Sequence, residues 1–228
     1  MDNIMIAKDI VRCFKTGGED FYALKGVDIE IPRGKLTILK GRSGSGKTTL
    51  LNALSTLDEP TSGEVWLDNM AYGDMSDKDK ERLRRQELGF VFQSVALIPI
   101  MTSYENVDFA LRLAGKTDNS ETRINSVLDM VAMKERMKHM PAQMSGGEQQ
   151  RVAIARAIAH EPKVIFADEP TGALDTETGI RIMALFKELV EREKITIIMT
   201  THDTNLMELG DVIYEMEDGE LIDRRDNN

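Results

Sequence analysis

The 228-residue chain carries 29 Lys+Arg against 39 Asp+Glu, a formal net charge of −10, with 41% hydrophobic residues and one cysteine. That length suits one large domain, or one core with a smaller appended subdomain, and leaves no room for several independent cores. The acidic balance argues against nucleic acid as the main partner, since that binding runs on cationic neutralisation of phosphates; the lone Cys13 excludes an intrachain disulfide framework and fits a reducing compartment.

Taken in chain order, the amino terminus MDNIMIAKDI is interrupted by Asp2, Lys8 and Asp9 and lacks the basic-then-apolar order of a secretory signal. IMIAKDIVRCF and VDIEI read as strands around a Gly17-Gly18 turn, followed by the buried strand LTILK at Leu36–Lys40 and the helical run TTLLNALSTL. After the strand EVWLD, the run KDKERLRR at Lys78–Arg85 has the interspersed acids of a solvated helix face. GFVFQ at Gly89–Gln93 is a further strand. The longest uncharged stretch, Leu88 to Tyr104, contains Gly89, Gln93, Ser94 and Pro99 and falls short of a bilayer span.

From roughly Thr102 to His160 the pattern is mainly helical, with a turn at Asp118-Asn119-Ser120, so a helical subdomain interrupts the core. Met130, Met133, Met137, Met140 and Met144 recur at spacings of three and four, which predicts that most of them share one helical face, better suited to core packing than to docking. KVIFA (Lys163–Ala167) and ITIIMT (Ile195–Thr200) are the last buried strands, DVIYEMEDGELID adds antiparallel pairing, and the tail RRDNN is expected to fray. Short apolar runs alternating with helices predict a parallel α/β sheet with antiparallel additions at the β-rich ends.

Gly41-Arg42-Ser43-Gly44-Ser45-Gly46-Lys47-Thr48 follows one of those strands and opens a helix, as the G-x-x-x-x-G-K-[ST] phosphate loop requires. Its glycines let backbone N–H groups close on phosphate oxygens at the positive end of the helix. Lys47 adds a charge toward the β- and γ-phosphates, and the Thr48 hydroxyl is a natural Mg²⁺ ligand.

Val164–Ala167 runs directly into Asp168-Glu169, placing two carboxylates at the strand edge where α/β sheets bind ligands. Asp168 would hold the metal, and Glu169, projecting the opposite way along the strand, would polarise the attacking water. Ser145-Gly146-Gly147-Glu148 is a capping box before QQRVAIARAIA. Two glycines in the first turn weaken a helix, which makes sense where bare backbone must approach an anion. With the phosphate loop on one side of the nucleotide, this second helix start is best used from the other side of the γ-phosphate. Sequence alone leaves open whether the same chain or another supplies it.

These motifs, in this order, resemble the nucleotide-binding subunit of ABC transporters over essentially the whole chain. GRSGSGKT resembles the family's Walker A, MSGGEQQR its signature, VIFADEP its Walker B and Ala173-Leu174-Asp175 its D-loop, while Gln93 resembles the Q-loop glutamine and His202 the switch histidine. FVFQ, LIP, TSYENV and ADEPTGALD look most like the subgroup serving lipoprotein release, macrolide or antimicrobial-peptide export and cell-division signalling. In the signature, Met144 stands where Leu is usual and Glu148 where Gln is usual.

The resemblance implies an α/β P-loop NTPase (RecA-like) core with an antiparallel β subdomain and a helical subdomain inserted at roughly 94–160. It implies an ATP hydrolase working with Mg²⁺ as a head-to-tail dimer on the inner face of the cell membrane, driving separate permease subunits docked near the Gln93 loop. By the same resemblance, ATP contacts Gly41 through Thr49 of one chain and Ser145, Gly146, Gly147, Glu148, Gln149 and Asp175 of the other. Thr48, Gln93 and Asp168 lie at the metal, and Glu169, His202, Lys47 and Gln93 serve catalysis, His202 contacting the γ-phosphate and orienting Glu169 and water. Adenine needs an aromatic face; the candidates are Phe14 and Tyr22, and the resemblance favours Phe14. Three alternatives compete with transport: a cassette that signals mechanically to a cell-wall complex, a small-molecule kinase for which MSGGEQQR has no role, and a DNA-linked ATPase disfavoured by the net charge.

Overall fold

A computed structural model describes residues 2–227. Gly17 and Gly18 both take positive φ, 62° and 92°, as a tight hairpin turn demands, and fold β1 (Asn3–Thr16) onto β2 (Glu19–Pro32). Each strand is longer than the sequence runs suggested because the ladder continues through bulges, one of them between Ala7 and Ile10. β3 (Leu36–Lys40) leads through the phosphate loop into α1 (Lys47–Leu54), and β4 (Ser62–Leu67) and β5 (Met70–Ala71) complete an antiparallel sheet ordered β2-β1-β4-β5.

The remaining elements are α2 (Asp77–Gln86), β6 (Leu88–Phe92), α3 (Ser103–Ala114), α4 (Ser120–Met130), α5 (Gly146–Ile158), β7 (Val164–Asp168), α6 (Thr176–Glu193), β8 (Thr196–Thr201), α7 (Thr204–Met207), β9 (Val212–Glu217) and β10 (Glu220–Asp226). The second sheet is ordered β10-β9-β3-β8-β7-β6, parallel throughout except for β10. β8 therefore separates the phosphate-loop strand from the strand that ends in Asp168, and both open on one edge.

Its central parallel strands β3, β7 and β8 are buried on both faces, which is why they read as unbroken apolar runs, whereas the edge strand β10 is exposed and polar. Along β7, Ile165 and Ala167 join the core under α5 and α6, while Val164 and Phe166 join the core shared with α1 and the antiparallel sheet. Phe166 is 1% exposed, and truncating so buried a ring costs about 3–5 kcal/mol.

Between residues 94 and 160 the chain forms α3, α4, α5 and two short 3-10 turns. The methionines there do not share a helical face, contrary to their spacing: α4 ends at Met130, and Met133 to Met144 follow through turns. Met133 and Met144 are buried, Met130 and Met137 pack partly against the same core, and Met140 is exposed. The tail is likewise not frayed as expected, since Arg224, Arg225 and Asp226 lie in β10 opposite Tyr214, Ile213 and Val212. Asn228 lies outside the described residues.

Candidate active site

Two of the phosphate-loop glycines, Gly41 and Gly46, leave no room for a side chain, while Gly44 faces open space. A Cβ on Gly41 would stand 2.4 Å from Met216 O, and Gly46, at φ 102°, would place one 2.7 Å from Ala23 O. Gly46 caps α1 without any side-chain hydrogen bond, so the first N–H groups of the helix stay directed at the loop. Lys47 folds back over the loop, its Nζ donating to Gly41 O at 2.8 Å and Arg42 O at 2.9 Å. Burial lowers the Lys47 pKa, against the nearby charges of Glu169 and Asp168, which raise it. Ser45 Oγ is buried with no hydrogen-bond partner among the described residues, an orphan hydroxyl inside an anion-shaped cradle. Arg42 and Ser43 are exposed, and Ser43, Gly44 and Thr49 line the depression above the loop.

Across that depression, Thr48 Oγ1 lies 3.0 and 3.2 Å from the two carboxylate oxygens of Asp168. Asp168 also accepts a 2.7 Å bond from Thr200 Oγ1, and the same hydroxyl accepts the Glu169 N–H at 2.9 Å. Glu169 lies past the end of β7 at φ 43°, so the pleat of the strand does not set its direction, contrary to the expectation that it projects opposite to Asp168 along the strand. That left-handed backbone is unfavourable for a non-glycine residue by about 1–3 kcal/mol. Thr200 holds it from one side, and the Gly172 N–H, donating to Glu169 O at 3.0 Å, from the other.

Two further side chains converge on Glu169. His202 Nδ1 is 3.3 Å from Glu169 Oε1, with the histidine 60% exposed. Gln93 follows Phe92, the register partner of Asp168. A Cβ on Gly172 would meet Gln93 Nε2 at 2.9 Å and Glu169 Oε2 at 3.3 Å, so a glycine there keeps both side chains in place. Thr200 and Gly172 were invisible as site residues in the sequence, Thr200 because it read as one more residue of an apolar strand.

The other glycine-rich helix start lies elsewhere. Ser145 Oγ accepts the Glu148 N–H at 3.3 Å and Glu148 Oε2 accepts the Ser145 N–H at 2.8 Å, completing the capping box. That backbone bond, with Arg136 at 3.3 Å, holds the Glu148 carboxyl below its usual range. Gln149 Nε2 donates to Pro141 O at 3.0 Å and Met144 O at 3.1 Å, so its amide braces the turn ahead of the helix. A Cβ on Gly147 would stand 2.6 Å from Thr178 Cγ2, giving that glycine a packing reason as well; Gly146 has only ordinary contact, Leu174 Cδ2 at 3.7 Å. Asp175 caps α6, accepting from Thr178 N at 3.0 Å and Thr178 Oγ1 at 2.7 Å. A depression lined by Ser145, Gly146, Gly147 and Asp175 results, and it shares no lining residue with the one above the phosphate loop.

Of the aromatic candidates, Phe14 pairs with Phe21 across the β1–β2 ladder, and Tyr22 pairs with Cys13. Direct partners share a face and neighbours alternate. Phe21 walls the depression above the phosphate loop, so Phe14 lies on its side and Tyr22 on the other. No local pattern marks Phe21, because only the register aligns it with Phe14.

Residues 24–172 match the ABC transporter family. The chain is 45% identical, over 94% of its length and 93% of the relative's, to the uncharacterized ABC transporter ATP-binding protein MJ0796 of Methanocaldococcus jannaschii. It is 41% identical to the lipoprotein-releasing system ATP-binding protein LolD of Saccharophagus degradans, over 93% of this chain and 94% of that one. A solved dimeric, post-hydrolysis structure of the ATP-binding cassette MJ0796, bound to ADP and Pi, matches with a TM-score of 0.89 at 40% identity, covering 97% of this chain and 98% of that one. With a phosphate loop and a carboxylate edge of this geometry, the chain belongs to the ABC transporter family, as one of its nucleotide-binding, ATP-hydrolysing cassettes.

Proposed function

We propose that two copies of the chain pair head to tail around two ATP molecules, and that the pairing drives a separate membrane permease for export or extraction of a substrate. The observation that carries this is the separation of the two anion-directed surfaces. The cradle at Gly41–Thr48 and the helix start at Ser145–Gly147 line two depressions with no lining residue in common, which suits a nucleotide gripped by one surface from each of two chains. The dimeric relative with ADP and Pi supports the same arrangement.

Each residue then has a task. Lys47 and the first N–H groups of α1 neutralise the phosphates, and Ser45 supplies its unpaired hydroxyl. The Thr48 hydroxyl and Asp168 carboxylate offer the hard oxygen donors that Mg²⁺ prefers and would hold it beside the phosphates. Consistent with that partial set, the described residues form no group of three or more His, Cys, Asp or Glu able to cage a metal alone. Mg²⁺ in that place would supply charge stabilisation for phosphoryl transfer. Glu169 takes the proton of the attacking water, His202 and Gln93 orient that carboxylate and the water, and Phe14 stacks on adenine.

For the permease, the surface best suited is an apolar groove between α3 and β6 lined by Phe90, Phe92, Phe109 and Leu113 and edged by Arg84 and Arg85. It fits an amphipathic helix carrying an acidic residue. Among the described residues no helix is long and apolar enough to cross a membrane. The resemblance to a lipoprotein-releasing cassette supports extraction or export as the direction.

Light scattering on E169Q with Mg·ATP tests the pairing: the account expects a dimer that disperses without ATP, and no dimer once Ser145→Arg is added. A dimer that survives Ser145→Arg would refute the opposing-chain assignment.

A further inference from the structure

Arg12 and Phe14 are two residues apart on β1 and share a face. The Arg12 guanidinium lies over the Phe14 ring, its Cζ 4.5 Å from the centroid, within the reach of a cation–π contact. The same guanidinium is fixed at its edge by a bidentate pair, Nε donating to Asp58 Oδ2 at 2.8 Å and Nη2 to Asp58 Oδ1 at 2.7 Å. The two side chains are only 24% and 29% exposed, and a planar fork bound at two points holds one orientation.

Asp58 in turn belongs to the loop that leaves α1. Its N–H donates to Asn52 O at 3.2 Å, and the loop is stitched back to β1 by Thr61 N to Val11 O at 2.7 Å and Cys13 N to Thr61 Oγ1 at 2.9 Å. α1 is the helix whose start is the phosphate loop. One braced path therefore runs from the phosphate cradle through α1, Asp58 and Arg12 to the Phe14 ring, which remains 37% exposed.

We propose that Arg12, held by Asp58, is a positioning residue for base recognition: it fixes the Phe14 ring so that the face it does not cover receives adenine. This rests on the reading that Phe14 takes the base. Such a contact costs little conformational freedom at the moment of binding, because the ring is already oriented. A pinned ring also sets the spacing between base and triphosphate, since both subsites hang on α1.

The test compares calorimetric binding of Mg·ATP and of Mg·tripolyphosphate, which has no base, to the full chain in the E169Q background. Arg12→Ala should weaken ATP about three- to tenfold and leave tripolyphosphate unchanged. Asp58→Asn should do the same more mildly, and Arg12→Lys should recover part of the loss. Phe14→Ala should weaken ATP alone, and adding Arg12→Ala to it should cause no further loss. Equal weakening of both ligands by Arg12→Ala or Asp58→Asn would mean a merely structural effect through α1 and would overturn the proposal. ATP affinity unmoved by Arg12→Ala but lowered by Phe14→Ala would overturn it while leaving the adenine reading intact. ATP affinity unmoved by Phe14→Ala would remove that reading and the proposal together.

Discussion

The buried hydroxyl of Thr200 donates to Asp168 Oδ1 at 2.7 Å and accepts the backbone N–H of Glu169 at 2.9 Å. One side chain on β8 thus fixes both acidic residues at the end of β7, which is possible because β8 lies between that strand and the phosphate-loop strand. Thr200→Val keeps the shape but strands the Glu169 N–H, at a cost of about 1–3 kcal/mol in stability. Turnover should fall about tenfold or more, as expected when a supporting contact leaves a reacting group loosely aimed, while ATP binding holds. Paired measurements of kcat and of ATP affinity check this; a loss of binding with unchanged kcat would contradict it.

Glu169 itself should be separable from binding. Glu169→Gln retains the hydrogen-bonding shape and removes the base, so hydrolysis should fall by about 10²–10⁴ with ATP still bound. Near-normal phosphate release in that variant would remove Glu169 from the chemistry.

At the second helix start, packing and ligand effects can be told apart. Gly147→Ala sets a Cβ 2.6 Å from Thr178 Cγ2, an overpacking expected to lower stability by about 1–3 kcal/mol. Thr178→Ser removes the colliding methyl and keeps a hydroxyl for Asp175, so Gly147→Ala/Thr178→Ser should regain most of the melting temperature. Gly146→Ala meets nothing closer than 3.7 Å and should hold the melting temperature or raise it slightly, since alanine loses less chain entropy in a helix. Thermal melts of the four proteins decide the matter; a Gly147→Ala protein as stable as the parent would contradict the packing account.

His160 should make stability depend on pH. It is buried, its Nε2 lies 2.9 Å from Leu88 O, and its Nδ1 has no hydrogen-bond partner among the described residues. Burial lowers its pKa, with Lys116 and Arg123 acting in the same direction. The unfolded chain then binds a proton that the folded chain does not, so stability falls as the pH drops below about 6.5. The slope from one such group is at most about 1.4 kcal/mol per pH unit. Urea titrations between pH 7 and 5 should show it, and His160→Gln should flatten the curve; an equal slope in the variant would assign the effect elsewhere.

What the sequence disclosed and what it withheld follow one physical division. The phosphate loop, the Asp168-Glu169 edge and the Ser145 capping box are contiguous, so their spacing alone carries their geometry. Thr200 and the Arg12–Asp58 pair matter through residues far along the chain, Gly172 partly through the distant Gln93, and Phe21 through the hairpin register, and no local pattern marks them. Gly147 shows both effects, because its place in the motif was readable and its contact with Thr178 was not. The methionine spacing misled because periodicity assumes a continuous helix, whereas α4 stops at Met130 and the later methionines reach the core from turns.

The most direct test of head-to-tail pairing mixes two defective proteins in the E169Q background, one carrying Lys47→Ala and the other Ser145→Arg. Each alone lacks one half of every composite site, whereas a mixed pair holds one complete site, built from Lys47 of one chain and Ser145 of the other. Light scattering with Mg·ATP should find monomers of each protein alone and dimers holding one ATP in the mixture. Failure of the mixture to pair, or pairing by either variant alone, would contradict the account.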